Sequence, residues 1–151
     1  MRIHRPDLVA LLAVLLISAC DSGKPIVTSI VFDGEAHSID TGKVVCTRQL
    51  NGGGLVILAQ GKSGQLVRIQ LTQVGHITVQ KAGLRYDDRV TGFIADPQEV
   101  TGIKVDDTYT VSGRMPPNRG ESQWHTFKIQ TTCRGYQDAV PHDTVPAIGA
   151  P

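Results

Sequence analysis

The sequence is short of most features that would mark a nucleic-acid binder, a redox enzyme or a membrane-spanning helix. Aromatic residues make up 5% of 151 positions, Trp occurs once, and the three cysteines include no C-x-x-C pair. Without that pair, thiol–disulfide redox catalysis has no motif behind it. Basic residues outnumber acidic ones by 15 to 14 and are nowhere concentrated. This excludes nucleic acid as a partner and leaves no polybasic segment for anionic lipid. The longest apolar run, Leu8 to Ala19, falls short of the roughly 18 residues that a spanning helix needs. No stretch shows convincing helical periodicity. The glycine run Gly52-Gly53-Gly54 lacks the Lys-Ser/Thr and following helix of a phosphate-cradling loop.

What is present begins at the N-terminus. Arg2 and Arg5 precede the apolar run, which closes on Leu16-Ile17-Ser18-Ala19-Cys20. A basic start, a short apolar run and small residues at its end are the parts of an export signal. An aliphatic residue, two small residues and then Cys resemble the bacterial lipobox. That resemblance implies diacylglycerol on the Cys20 thiol, cleavage before Cys20 and acylation of the freed amine. Residues 1–19 are therefore expected to leave as a lipoprotein signal peptide. The remaining 132 residues carry 13 basic and 13 acidic side chains, for zero net charge. The expected partner is the membrane, held through covalent lipid, and the expected location is the extracytoplasmic side of the cell membrane. Residues 20–25 form a short tether that reaches only about 20 Å when extended.

From Ile26 onward the pattern has period two. Strands are expected at Ile26–Phe32, Lys43–Gln49, Leu55–Gln60, Gln65–Thr72, His76–Lys81, Asp88–Ala95, Glu99–Val105, Thr108–Arg114 and Trp124–Cys133. Turn signals at Asp33-Gly34, Thr41-Gly42, Asn51 to Gly54 and Gly61 to Gly64 punctuate them. In Gln65–Thr72, Leu66, Arg68, Gln70 and Thr72 alternate with Val67, Ile69 and Leu71, giving one wet and one dry face. The expectation is an all-β sandwich or barrel-like antiparallel domain over residues 26–133. Residues 134–151, with Pro141, Pro146 and Pro151, read as a flexible tail. If Cys20 carries lipid, Cys46 and Cys133 remain, and oxidising surroundings favour one bridge between them. The alternative is two free buried thiols.

Candidate chemistry is sparse. His37, His76, His125 and His142 show no zinc-helix spacing, and His76 and His125 are expected on exposed strand faces. Ser63, in Gly61-Lys62-Ser63-Gly64, misses the nucleophile elbow and reads as a turn serine. The acid pairs Asp87-Asp88 and Asp106-Asp107 lack the ligand spacing of a calcium loop and suit turns. Trp124 reads as a core or rim residue. No catalytic residue, metal or cofactor is expected.

With the strands laid out, the chain resembles the mycobacterial LpqH family of nineteen-kilodalton lipoprotein antigens. The likeness is carried by Gly42-Lys43-Val44-Val45-Cys46-Thr47, Val79-Gln80-Lys81-Ala82-Gly83-Leu84, Asp107 to Gly113, and Phe127 to Cys133. It implies a non-enzymatic envelope antigen whose acylated N-terminus host pattern receptors sense. Where family members carry a long Thr/Ala/Ser-rich linker, only Asp21 to Pro25 stand here. Two rivals are kept. One is a carrier of lipid or another small apolar ligand inside the β domain. The other is an enzyme centred on His76 or His125.

Overall fold

The computed structural model describes residues 26–41, 43–50, 52–86, 89–94 and 98–140. The expected signal segment, the tether, Cys20, His142 and Asp87-Asp88 lie outside the described residues. Within them the chain forms β1 (Ile26–Phe32), β2 (Glu35–Thr41), β3 (Val44–Arg48), β4 (Gly54–Gln60), a 3₁₀ turn at Lys62–Gly64, β5 (Leu66–Thr72) and β6 (Thr78–Tyr86). It continues through β7 (Arg89–Ile94), β8 (Val100–Val105), β9 (Thr108–Met115), β10 (His125–Thr132) and β11 (Gln137–Asp138). They build two sheets, ordered β2-β1-β10-β9-β8 and β11-β3-β4-β5-β6-β7. Every pairing is antiparallel except β11 with β3. The two sheets face each other and do not close into a barrel, so the sandwich is the correct half of the expectation.

Alternation explains which face each strand buries. In β5, Val67, Ile69 and Leu71 are sealed inside, while Leu66, Arg68, Gln70 and Thr72 are half-buried on the outer face. β1 and β10 bury Ile30, Phe32, Phe127 and Ile129 from the first sheet. These meet Leu55, Ile57 and the β5 residues from the second, and each side chain so buried contributes on the order of 1.5–3 kcal/mol. Val79 and Ala82 both point inward although three residues apart. The register of β6 shifts opposite Gln70/Leu71, and this irregularity restores the dry face beyond it.

The strands of the second sheet run across those of the first. β6 starts under β8, where Gly102 faces Ile77 and Val79, and ends under β2, where the His37 and Tyr86 rings lie 4.1 Å apart. A Cβ on Gly102 would stand 2.7 Å from Ile77 Cγ2, so this crossing needs glycine. Gly113 in β9 is constrained by backbone: a Cβ there would collide with the Glu99 carbonyl and lie 2.8 Å from Val100 Cα. Among the described residues the core holds one polar pair from neighbouring strands, the Thr28 and Thr131 hydroxyls, both buried and hydrogen-bonded to each other at 2.8 Å.

Cys46 in β3 and Cys133 just beyond β10 form a disulfide between the two sheets, with Cα atoms 5.9 Å apart. This disposes of the free-thiol alternative. Cys46 sits on the third strand and not the second, because Glu35–Thr41 is itself a strand. Its sequence hides this: Ile39 is its one sealed apolar residue, as suits an edge strand. Order also continues past Cys133. Tyr136 packs against the core and β11 pairs with β3 at Gln137↔Thr47 and Asp138↔Arg48. The expected tail boundary at residue 134 therefore moves outward, and residues 141–151 lie outside the described residues.

Candidate functional site

The best-assembled polar cluster lies at the end of the first sheet where β1 turns into β2. Asp33 and Gly34 both adopt left-handed backbone, at φ 51° and 84°. This is the two-residue hairpin geometry that Asp-Gly favours. The turn aims the Asp33 carboxylate at the start of β10. Its Oδ1 accepts the Thr126 N–H at 2.8 Å, and its Oδ2 lies 2.7 Å from His125 Nδ1. On the other side of the ring, Glu121 Oε2 lies 2.7 Å from His125 Nε2 and accepts the Asn118 N–H at 2.9 Å. The imidazole stacks on Phe32, centroids 5.0 Å apart, and its side chain is only 15% exposed. The expectation of an exposed strand face for His125 is therefore corrected.

Ionised carboxylates only accept hydrogen bonds, so both ring nitrogens must donate and the imidazolium is the matched form. The hydrogen bond donated to Asp33, then that donated to Glu121, raises the His125 pKa above its ordinary value, against a smaller opposing effect of burial. The His125 bond, then the Asn118 backbone bond, lowers the pKa of Glu121. An imidazolium with both protons committed has no lone pair for a substrate proton. The carboxylates approach opposite nitrogens, so the three groups do not converge on a point as metal ligands would. Among the described residues, no group of three His, Cys, Asp or Glu side chains could hold a metal ion. Chemically the cluster is a clamp that fastens the β9–β10 loop to the β1–β2 hairpin. Beside it, Arg114 binds Glu99 through two 2.8 Å hydrogen bonds and lies 5.5 Å from the ring centroid of Trp124, which is 52% exposed. Trp124 is thus a rim residue.

The opposite end of that sheet holds the disulfide and a chain of hydroxyls. Tyr136 donates to Asp107 Oδ1 at 3.0 Å, which leaves its oxygen to accept from Tyr109 at 3.1 Å. Burial, reinforced by these neighbours, raises the Tyr136 pKa. The cations of Arg48 and Lys104 lie over the Tyr136 ring. Asp106, with φ 52°, and Asp107 make the β8–β9 turn, as expected.

Other candidates do not join either cluster. His76 is an exposed loop residue, corrected from a strand position, and Ser63 lies in the 3₁₀ turn. The glycine run borders a cleft of about 500 Å³, lined also by Arg48, Gln49, Gln73 and Asp138. This cleft opens at the outer rim and not between the sheets, so it gives the apolar-carrier reading no support. The clamp escaped sequence reasoning because Asp33 and His125 are 92 residues apart and Asp33 was sufficiently explained as a turn former. Glu121 left no signal, since an i,i+4 spacing carries meaning on a helix and this is a loop.

Residues 22–133 match the family model described as Mycobacterium 19 kDa lipoprotein antigen. No curated protein matches the chain.

Proposed function

Because the chain belongs to the mycobacterial 19 kDa lipoprotein antigen family, and so is a lipid-anchored lipoprotein of the cell envelope, we propose that it is a non-catalytic display domain tethered through acylated Cys20. Residues 1–19 then serve as its signal peptide and residues 20–25 as its tether. Host pattern receptors would sense the acylated terminus, with the β domain acting as a protected surface module. One observation chiefly supports the absence of catalysis. The cluster best equipped for proton transfer, Asp33–His125–Glu121, uses every ring nitrogen to hold chain segments together. A general base needs a nitrogen within reach of substrate, and here both point at carboxylates.

The test is the intact mass of the membrane-extracted protein, before and after reduction and alkylation. The expected mass is that of a chain starting at Cys20, raised by its acyl groups, with two thiols alkylated only after reduction. A chain cut elsewhere and free of lipid overturns the anchor. Receptor-reporter cells should respond to the acylated protein and not to a Cys20→Ser variant; an equal response would move the sensing to the β domain.

A further inference from the structure

The outer face of the five-stranded sheet is uneven in a way that the core does not explain. Near the start of β1 it exposes Val27 (48%), Ile103 (59%) and Val105 (66%). Pairing places them on one side of the sheet. Val105 sits opposite Thr108, and Ile103 opposite Thr110, which continues through Gln130 to Ser29. These two rows are uncharged until Asp40, which pairs with Val27. At the other end of the same sheet stand Asp33, Glu99, Arg114 and Glu121. The apolar end is also the end at which the chain enters the fold.

We propose that this corner, built on Val27, Ile103 and Val105, is the face that the domain rests on the bilayer surface. The proposal rests on the reading that Cys20 carries the lipid. Five residues, Asp21 to Pro25, separate Cys20 from Ile26, so the start of β1 stays within about 20 Å of the anchored thiol. Val105 lies three strands from β1, about 14 Å at ordinary strand spacing, and is therefore within the same reach. Three valine and isoleucine side chains would not hold a free protein on a membrane. A tethered one needs far less, because the anchor raises the local concentration of bilayer to the millimolar range or above. Charge does not drive the contact: exposed Lys104 and Arg134 stand at this corner among exposed Asp40, Asp106 and Asp107, which leaves no excess of basic charge for anionic lipid. The occupant is consequently the apolar–headgroup boundary of the membrane, and zwitterionic lipid suffices.

The single Trp supplies the ruler. Val105 is in register with Thr132 through Thr108, and Trp124 precedes β10, which spans His125–Thr132, so it stands about 25 Å farther along the sheet than Val105. Acylated full-length protein is reconstituted on phosphatidylcholine vesicles containing doxyl-labelled lipid, and flotation establishes that it is bound. Wild type reports from Trp124, and a Val105→Trp/Trp124→Phe variant reports from the proposed contact. An Ile103→Trp/Trp124→Phe variant serves as a second reporter, should the first fold poorly. The expected result is quenching several-fold stronger at positions 105 and 103 than at 124, unchanged by salt. Flotation with equal quenching at both ends, or with none, overturns the docked face while leaving the anchor intact. Failure of wild type to float overturns the anchor and the docking together.

Discussion

The two ends of the five-stranded sheet are fastened by different physics. At the end where β1 begins, a covalent bond joins Cys46 to Cys133, and beside it a hydrogen-bond chain runs from Tyr109 through Tyr136 to the Asp107 carboxylate. At the end where β1 finishes, no covalent link is involved. A protonated ring held between two carboxylates fastens a loop to a hairpin. The first fastening is indifferent to pH across the physiological range, whereas the second exists only while His125 is charged and its partners are not protonated. With the anchor at Cys20, as proposed, the titratable end would face away from the membrane.

The comparison breaks most completely at the staple. Replacing both Cys46 and Cys133 by Ala frees a loop with an 87-residue separation, and the chain-entropy relation puts the loss at about 4–5 kcal/mol. Denaturant unfolding of the variant checks this. A loss below about 1 kcal/mol would mean that the sheets hold themselves together without the bridge.

His125→Gln comes next, with an expected loss of about 2 kcal/mol for two charge-assisted hydrogen bonds at a largely covered site. Its pH dependence has a definite sign. The folded pKa of His125 is raised, so its contribution is complete below the unfolded value near 6.5 and fades as pH rises through the folded value. The pKa of Glu121 is lowered, so its contribution is complete above its ordinary value near 4.5 and fades as pH falls through the folded one. The gap between wild type and variant should thus be widest between about pH 4.5 and 6.5 and narrow at alkaline pH. Melting curves across that range would refute the clamp if the gap stayed constant.

These two fastenings also mark what a sequence can reveal. Cys46 and Cys133 were legible because a thiol pair in an exported chain has few alternatives, and β5 was legible because Val67, Ile69 and Leu71 alternate cleanly. β2 was not, since only Ile39 is sealed in the core and the rest of Glu35–Thr41 reads as a polar connection. β11 was hidden for a related reason: two residues that pair along β3 carry no periodicity, and Tyr136 becomes meaningful only once Asp107 is beside it. The clamp was the least legible of all. It joins a turn former, a strand-start histidine and a loop glutamate that meet only after the fold is complete.

A smaller change sharpens the contrast. Tyr136→Phe removes the donor to Asp107 and the acceptor for Tyr109, whose side chain is 1% exposed. About 1 kcal/mol should be lost. Burial first, then the neighbouring hydroxyl and carboxylate, raises the Tyr136 pKa, so its titration lies far above neutrality and the loss should be the same at pH 5 as at pH 8. A loss that followed the pH profile of the His125 variant would show that the two ends are not energetically separate.

The smallest effect belongs to Glu121→Gln, and it divides the clamp into its parts. Asp33 remains on Nδ1 and is the larger cause of the raised His125 pKa. The amide of Gln still offers an oxygen to Nε2, so hydrogen bonding survives while the charge is lost. Melting temperature should scarcely move, because Glu121 is exposed and solvent screens it. The ring should report what stability does not. NMR titration of His125 in the variant should show its pKa lowered from the wild-type value yet still above that of an ordinary histidine. A pKa that did not move would assign the whole perturbation to Asp33. Glu121 would then act only through its backbone bond to Asn118, closing the loop without contributing to the charge that holds it down.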